Sequence, residues 1–164
     1  MGGRQWVVKD PSDKDEYLLP CMSFLCETTG MKLRFRTVEA RGVCVWLTFQ
    51  NGEFWKSKRM YKSTFYTNQE IYRRVLELFN QRPHGIVRTM GLYCYELTPS
   101  QRSQLSMFED VAKKDWLTKA VDEINDFYGT FTVFAATSLD GTKVVKQKIP
   151  FGGTEYFELL LKHS

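Results

Sequence analysis

Residues Val43, Val45, Leu47 and Phe49 alternate with Cys44, Trp46 and Thr48, a period of two that commits this stretch to a half-buried β-strand. Asn51-Gly52 follows almost at once, the dipeptide favoured in a two-residue type I′ hairpin turn. Phe54 to Tyr61 then reads as the returning strand, and it carries Lys56, Lys58 and Arg59. Two antiparallel strands with one apolar side need further strands and a covering layer to become stable.

The flanking sequence supplies both. Gln5–Lys9 reads as a short strand, broken by Asp10-Pro11-Ser12, with Ser12 as a helix cap and Asp15 three residues on. A helix from about Asp13 to Phe35 follows, with Leu18, Met22, Leu25 and Thr29 on one stripe. Pro20 and Gly30 inside it predict a kink or a break into two pieces. Thr67-Asn68-Gln69-Glu70 is a capping box opening a second helix to about Asn80, with Ile71, Val75, Leu78 and Phe79 toward a core. Arg82-Pro83-His84-Gly85 is a loop, and Ile86–Tyr95 is a last strand.

The order over residues 4–97 is β-α-β-β-α-β, which gives an α+β fold of the ferredoxin-like split kind: a four-stranded antiparallel sheet with both helices on one face. The other face is left open, and the basic hairpin lies on it or along its rim. Residues 98–110 read as a linker and 111–164 as a tail. In the tail Val111 to Tyr128 is an amphipathic helix, with Leu117, Ala120, Val121, Ile124 and Phe127 on its apolar side and Gly129 as its stop. Thr130–Ala135 reads as a strand, Ser138–Thr142 as a turn, and Ile149–Gly153 as an irregular finish.

A chain of 164 residues suits one compact domain of about 100 residues with an appendage. Its apolar content of 43% and charged content of 26% exclude wholesale disorder. No apolar run approaches the ~20 residues of a membrane span, and no secretory signal precedes Trp6. Cys21, Cys26, Cys44 and Cys94 match no zinc spacing, with only His84 and His163 to assist. Buried free thiols in a reducing cytoplasm are the expectation.

Charge is unevenly spread. From Lys32 to Lys62 there are eight basic residues against two acidic, whereas from Glu96 to Tyr128 there are four basic against seven acidic. Such asymmetry is the footprint of a polyanion site on one part of a molecule. No phosphate loop, dinucleotide fingerprint or nucleophile–base pair is present, and the strands carry almost none of the carboxylates that metal-assisted phosphoryl transfer requires. The chain by itself reads as non-catalytic and without a cofactor.

The strongest binding candidate is Lys56-Ser57-Lys58-Arg59, strand cations beside the hydroxyls of Ser57, Ser63 and Thr64, a composition suited to phosphates. With a two-residue turn at Asn51-Gly52, Lys56 and Lys58 share a face with Val45 and Leu47, and Arg59 shares the other with Trp46. The expected open face is therefore Trp46/Ser57/Arg59. An RNA-recognition module has the same element order, but its stacking aromatics are replaced here by Val43 and Val45 next to Arg41-Gly42. Trp46 and Trp55 remain as rings able to stack a base.

Gln104-Leu105-Ser106-Met107-Phe108 is a short apolar plug between the polar Thr98–Ser103 and the acidic pair Glu109-Asp110. It is similar to the pentapeptide, commonly Gln-Leu-Ser/Asp-Leu-Phe, with which bacterial polymerases and repair factors hold the sliding clamp; Met107 stands for Leu, a volume-conserving change. With the basic hairpin, Ile86-Val87-Arg88-Thr89-Met90-Gly91-Leu92 and the tail Lys119–Gly129, the chain resembles the C-terminal little finger domain of a bacterial Y-family (translesion) DNA polymerase, followed by its tail.

The resemblance implies a DNA-repair role in the SOS response: a grip on duplex or primer–template DNA without sequence specificity. Lys56, Ser57, Lys58, Arg59, Arg88 and Thr89 become the phosphate-contact candidates, and Gln104 to Phe108 the clamp contact. It also implies palm and fingers domains elsewhere in the parent, the palm holding Mg2+. Trp46 and Thr48 depart from the basic or polar residues often found at their places. The alternative is a ferredoxin-like protein-interaction or regulatory module that binds no nucleic acid.

Overall fold

The computed structural model describes residues 2–100, 109–129 and 131–139. Strands β1 (Gly2–Ser12), β2 (Val38–Phe49), β3 (Phe54–Phe65) and β4 (Val87–Pro99) form one antiparallel sheet in the order β1-β4-β2-β3. Helix α1 (Asp15–Phe35) links β1 to β2 across β4, and α2 (Asn68–Phe79) links β3 to β4 across β2. These are two interleaved β-α-β units, the split arrangement expected. The core lies between sheet and helices. Val43, Val45 and Leu47 of β2 and Met90, Leu92 and Cys94 of β4 meet Leu18, Met22 and Leu25 of α1 and Ile71, Val75 and Phe79 of α2. Each large apolar side chain so buried contributes about 1.5–3 kcal/mol. No helix among the described residues is long and apolar enough to cross a membrane.

Helix α2 forms where its sequence places it. The Thr67 hydroxyl accepts from the Glu70 backbone N–H at 3.3 Å, and the Glu70 carboxylate accepts from the Thr67 N–H at 3.3 Å, so two otherwise unpaired groups are satisfied reciprocally. Helix α1 differs from expectation at both of its punctuated points. It opens after Lys14, while Ser12 stays in β1 and its hydroxyl accepts only from the Lys14 N–H, at 3.1 Å. It also runs unbroken through Pro20 and Gly30. Pro20 falls early in the helix and removes a single donor, while Cys21 to Gly30 are all buried. Gly30 is a close-approach site: a Cβ there would lie 2.1 Å from Asn68 Oδ1 at the start of α2.

All four cysteines are free and buried. Burial pushes the Cys21 thiol up to about 11 and the Cys94 thiol up to about 12, so both stay protonated and unreactive at neutral pH.

The β2–β3 hairpin overturns the expected register. Phe49 N–H donates to Glu53 C=O at 2.9 Å and Gly52 N–H to Phe49 C=O at 3.0 Å, with Gly52 at φ +88°. This is a three-residue loop, Gln50-Asn51-Gly52, with glycine in the left-handed position that closes it. Thr48 therefore pairs with Phe54, Trp46 with Lys56 and Cys44 with Lys58. One residue of shift turns every side chain of the return strand to the other face.

Helix α3 (Glu109–Tyr128) is tied to α1 and to Tyr66, just ahead of α2, by its polar side. Arg34 of α1, nearly buried, donates to Asp122 through Nε at 2.6 Å and Nη2 at 2.8 Å, and through Nη1 to Asn68 Oδ1 at 2.8 Å. The Tyr66 hydroxyl donates to Asp115 at 2.8 Å. Leu117, Ile124 and Phe127, expected to face a core, are exposed, because the buried partners belong to the carboxylate side of the helix. Gly129 stops it at φ +108°.

The strand expected over Thr130–Ala135 is absent among the described residues. The Asn125 side-chain amide donates to Val133 C=O and accepts from its N–H, both at 2.8 Å, doing for the backbone what a neighbouring strand would do. A 3-10 turn, Ala136–Ser138, then seats Ser138 against α1. Its hydroxyl lies 2.7 Å from Ser23 Oγ and donates to buried Glu27 at 2.6 Å. Phe131 stacks on Phe24 at 4.6 Å. Most of the turn expected at Ser138–Thr142, and the finish at Ile149–Gly153, lie outside the described residues.

Candidate nucleic-acid interface

The cross-strand pairs define the uncovered face. Gln5 and Val7 oppose Gly91 and Thr89; Gly91 and Tyr93 oppose Trp46 and Cys44; these in turn oppose Lys56 and Lys58, with Phe54 beyond Thr48 and Met60 beyond Gly42. The paired positions of this face hold two lysines and no carboxylate. Two of its glycines make room for rings. A Cβ on Gly91 would lie 2.5 Å from the Trp46 indole, and one on Gly42 would lie 2.3 Å from the Tyr95 ring. Cys44 is buried beneath its neighbours.

The lysines stand clear of the helices. Lys56 Nζ sits 5.4 Å from the centre of the Tyr93 ring. A hydrogen bond with Tyr93 raises the Lys56 pKa from its ordinary value, so the ammonium is fully charged at neutral pH. Lys58 is exposed one pair further along the strand. Phe54 is 62% exposed, with its ring 6.1 Å from that of Trp46 and tilted by 31°.

The expected site residues are divided by this geometry. Lys56 and Lys58 lie on the open face opposite Trp46 and Cys44, not on the core side with Val45 and Leu47 as a two-residue turn predicts. Ser57 and Arg59 oppose Val45 and Val43 and so take the helix side. There Arg59 reaches Glu77 of α2 at 3.3 Å, and the Tyr61 hydroxyl donates to the same carboxylate at 3.1 Å. Trp55 joins the helix side and packs against the core. Thr89 is on the open face, while exposed Arg88 is the extra residue of an irregularity between Val87 and Thr89. Arg34, counted in the basic excess, is internal and bound to Asp122. Gln104, Leu105, Ser106, Met107 and Phe108 lie outside the described residues.

Sequence reasoning passed over Phe54, Tyr93 and Tyr95. The signal was the alternation of Tyr93 with Tyr95 and the two glycines set opposite rings, which becomes readable only once the register is known.

The sheet is thus covered by helices on one side and lined on the other with rings and cations. Residues 8–107 match the C-terminal domain of the impB/mucB/samB family, and the chain belongs to that family. It is 23% identical over 132 residues to DNA polymerase IV of Bacillus anthracis, a match covering 77% of this chain and 32% of that protein. It is 27% identical over 128 residues to DNA polymerase IV of Pelotomaculum thermopropionicum, covering 76% and 31%. The chain thus spans about a third of the length of these relatives.

Among solved structures, it is similar to the little finger domain of PolIV in a complex with the beta-clamp processivity factor. The TM-score is 0.50 at 13% identity, over 61% of this chain and 91% of that one. A Y-family DNA polymerase chimera of Dbh and Dpo4 matches with a TM-score of 0.52 at 12% identity, over 60% and 29%. At such identities these likenesses establish the fold, and the little-finger resemblance is borne out.

Proposed function

We propose that this chain is the DNA-gripping and clamp-tethering region of a cytoplasmic translesion DNA polymerase, and that it contributes no catalytic group of its own. The unit expected over 4–97 is the little-finger-like part, extended by the last residues of β4 to Pro99. The linker expected over 98–110, with its clamp-binding plug, narrows to what lies between Pro99 and Glu109, and the tail expected over 111–164 opens with α3 at Glu109. The observation that carries the reading is the open face, where Lys56 and Lys58 project from β3 with no carboxylate among the paired positions. Cations held in a row on a rigid strand meet successive phosphates without reading bases, which suits a protein that must accept any primer–template. Catalysis, with its Mg2+, belongs to palm and fingers domains of the parent.

The partners are tested separately. Duplex binding by the 164-residue chain is expected to weaken steeply with salt, and retention on a DNA column at moderate salt separates this reading from a protein-interaction module, which would flow through. Leu105→Ala/Phe108→Ala is expected to abolish binding to the cognate sliding clamp while leaving duplex affinity unchanged. Equal clamp binding by that variant would return the plug to ordinary linker sequence.

A further inference from the structure

We propose that the β2–β3 end of the open face is a single-stranded DNA site, where an unpaired base stacks on Phe54 and Trp46 while Lys56 and Lys58 hold the adjoining phosphates. The inference rests on the reading of this face as a DNA grip and specifies which form of DNA part of it takes. In a duplex the faces of the bases are stacked on one another, so an exposed ring adds little to a duplex grip. An unpaired base offers that face, and stacking on an aromatic side chain is tolerant of sequence.

The ring pair is built for presentation. Trp46 occupies the space above Gly91, where any side chain would displace it. Phe54 lies beside it at 6.1 Å and stays 62% exposed, although the core is one residue away on the same strand at Trp55. Lys56 and Lys58 follow Phe54 on the same side of β3. Two residues along a strand span roughly 6.6 Å, a spacing that lets each ammonium reach a different phosphate of an extended strand. Stacking ring and neighbouring cations together are the two components of non-specific single-strand sites.

The test compares an oligo-dT strand with a duplex of equal length on the intact chain, reading the affinity of each by competition. Phe54→Ala is expected to weaken oligo-dT binding about tenfold and duplex binding less than about twofold, with Phe54→Trp restoring the single-strand affinity. Because Phe54 is exposed, the alanine variant is expected to fold as wild type does, which its melting curve checks. Oligo-dT binding unchanged by Phe54→Ala, or an equal loss for strand and duplex, overturns the stacking site while leaving the duplex grip intact. A wild-type chain that binds neither form overturns the grip itself and this site with it.

Discussion

Among the described residues, the open face of the sheet and α3 both present aromatic side chains to water, and they differ in what surrounds them. On the open face of the sheet, Phe54, Trp46 and Tyr93 stand among Lys56 and Lys58. On α3, Trp116 and Phe127 are 78% and 82% exposed, but the helix carries six acidic residues against three basic and turns Asp115 and Asp122 inward as its attachment. The first surface attracts a polyanion and the second repels one. The difference also concerns stability. The face opposite the open sheet surface is held by apolar packing, whereas α3 is held by charge-assisted hydrogen bonds that leave Leu117, Ile124 and Phe127 outside.

The largest effect that would sharpen this contrast is at the α3 attachment. Asp122→Ala strips the nearly buried Arg34 guanidinium of two hydrogen bonds and is expected to cost about 2–3 kcal/mol in urea unfolding. Leu117→Ser on the exposed stripe is expected to stay within about 0.5 kcal/mol. Equal costs at the two positions would break the claim that α3 docks by its polar side.

A smaller effect concerns Glu27, which accepts from Ala135 N–H at 3.0 Å and Ser138 Oγ at 2.6 Å. Burial raises its pKa above the ordinary 4.5, against the opposing influence of those hydrogen bonds and Arg34. The folded state then holds this proton more tightly than the unfolded chain. Its contribution is complete below about pH 4.5 and is lost as pH rises through the raised value. Glu27→Gln keeps an acceptor oxygen and cannot ionise, so its melting temperature is expected to fall less than that of wild type over this window. Parallel curves for the two proteins would contradict the assignment.

Local signals in the sequence carried much of the architecture. The Thr67–Glu70 capping box placed α2 to the residue, and the alternation over Val43–Phe49 chose the core side of β2 correctly, because both depend on neighbours in the chain. The register of β3 did not follow, since Asn51-Gly52 serves a two-residue turn and also the end of a three-residue one. Gly52 is left-handed in both, and what decides is that Asn51 is not, so that Phe49 instead of Gln50 pairs with Glu53. That single residue put Lys56 and Lys58 on the wrong side and Arg59 on the open one. The orientation of α3 was hidden for another reason. Apolar periodicity presumes an apolar partner, and its partner is Arg34, 88 residues away in sequence.

The register is accordingly where the account is most directly tested. Duplex affinity is measured against salt concentration for wild type, Lys56→Glu/Lys58→Glu and Arg59→Glu. The account predicts at least about tenfold weaker binding for the lysine pair, with a salt slope shallower by about two phosphates' share. It predicts less than about a twofold change for Arg59→Glu, whose side chain turns to Glu77 on the helix side. A lysine pair that binds as wild type does, or an Arg59→Glu loss equal to it, would contradict the claim that the face bearing Trp46, Lys56 and Lys58 is the DNA grip.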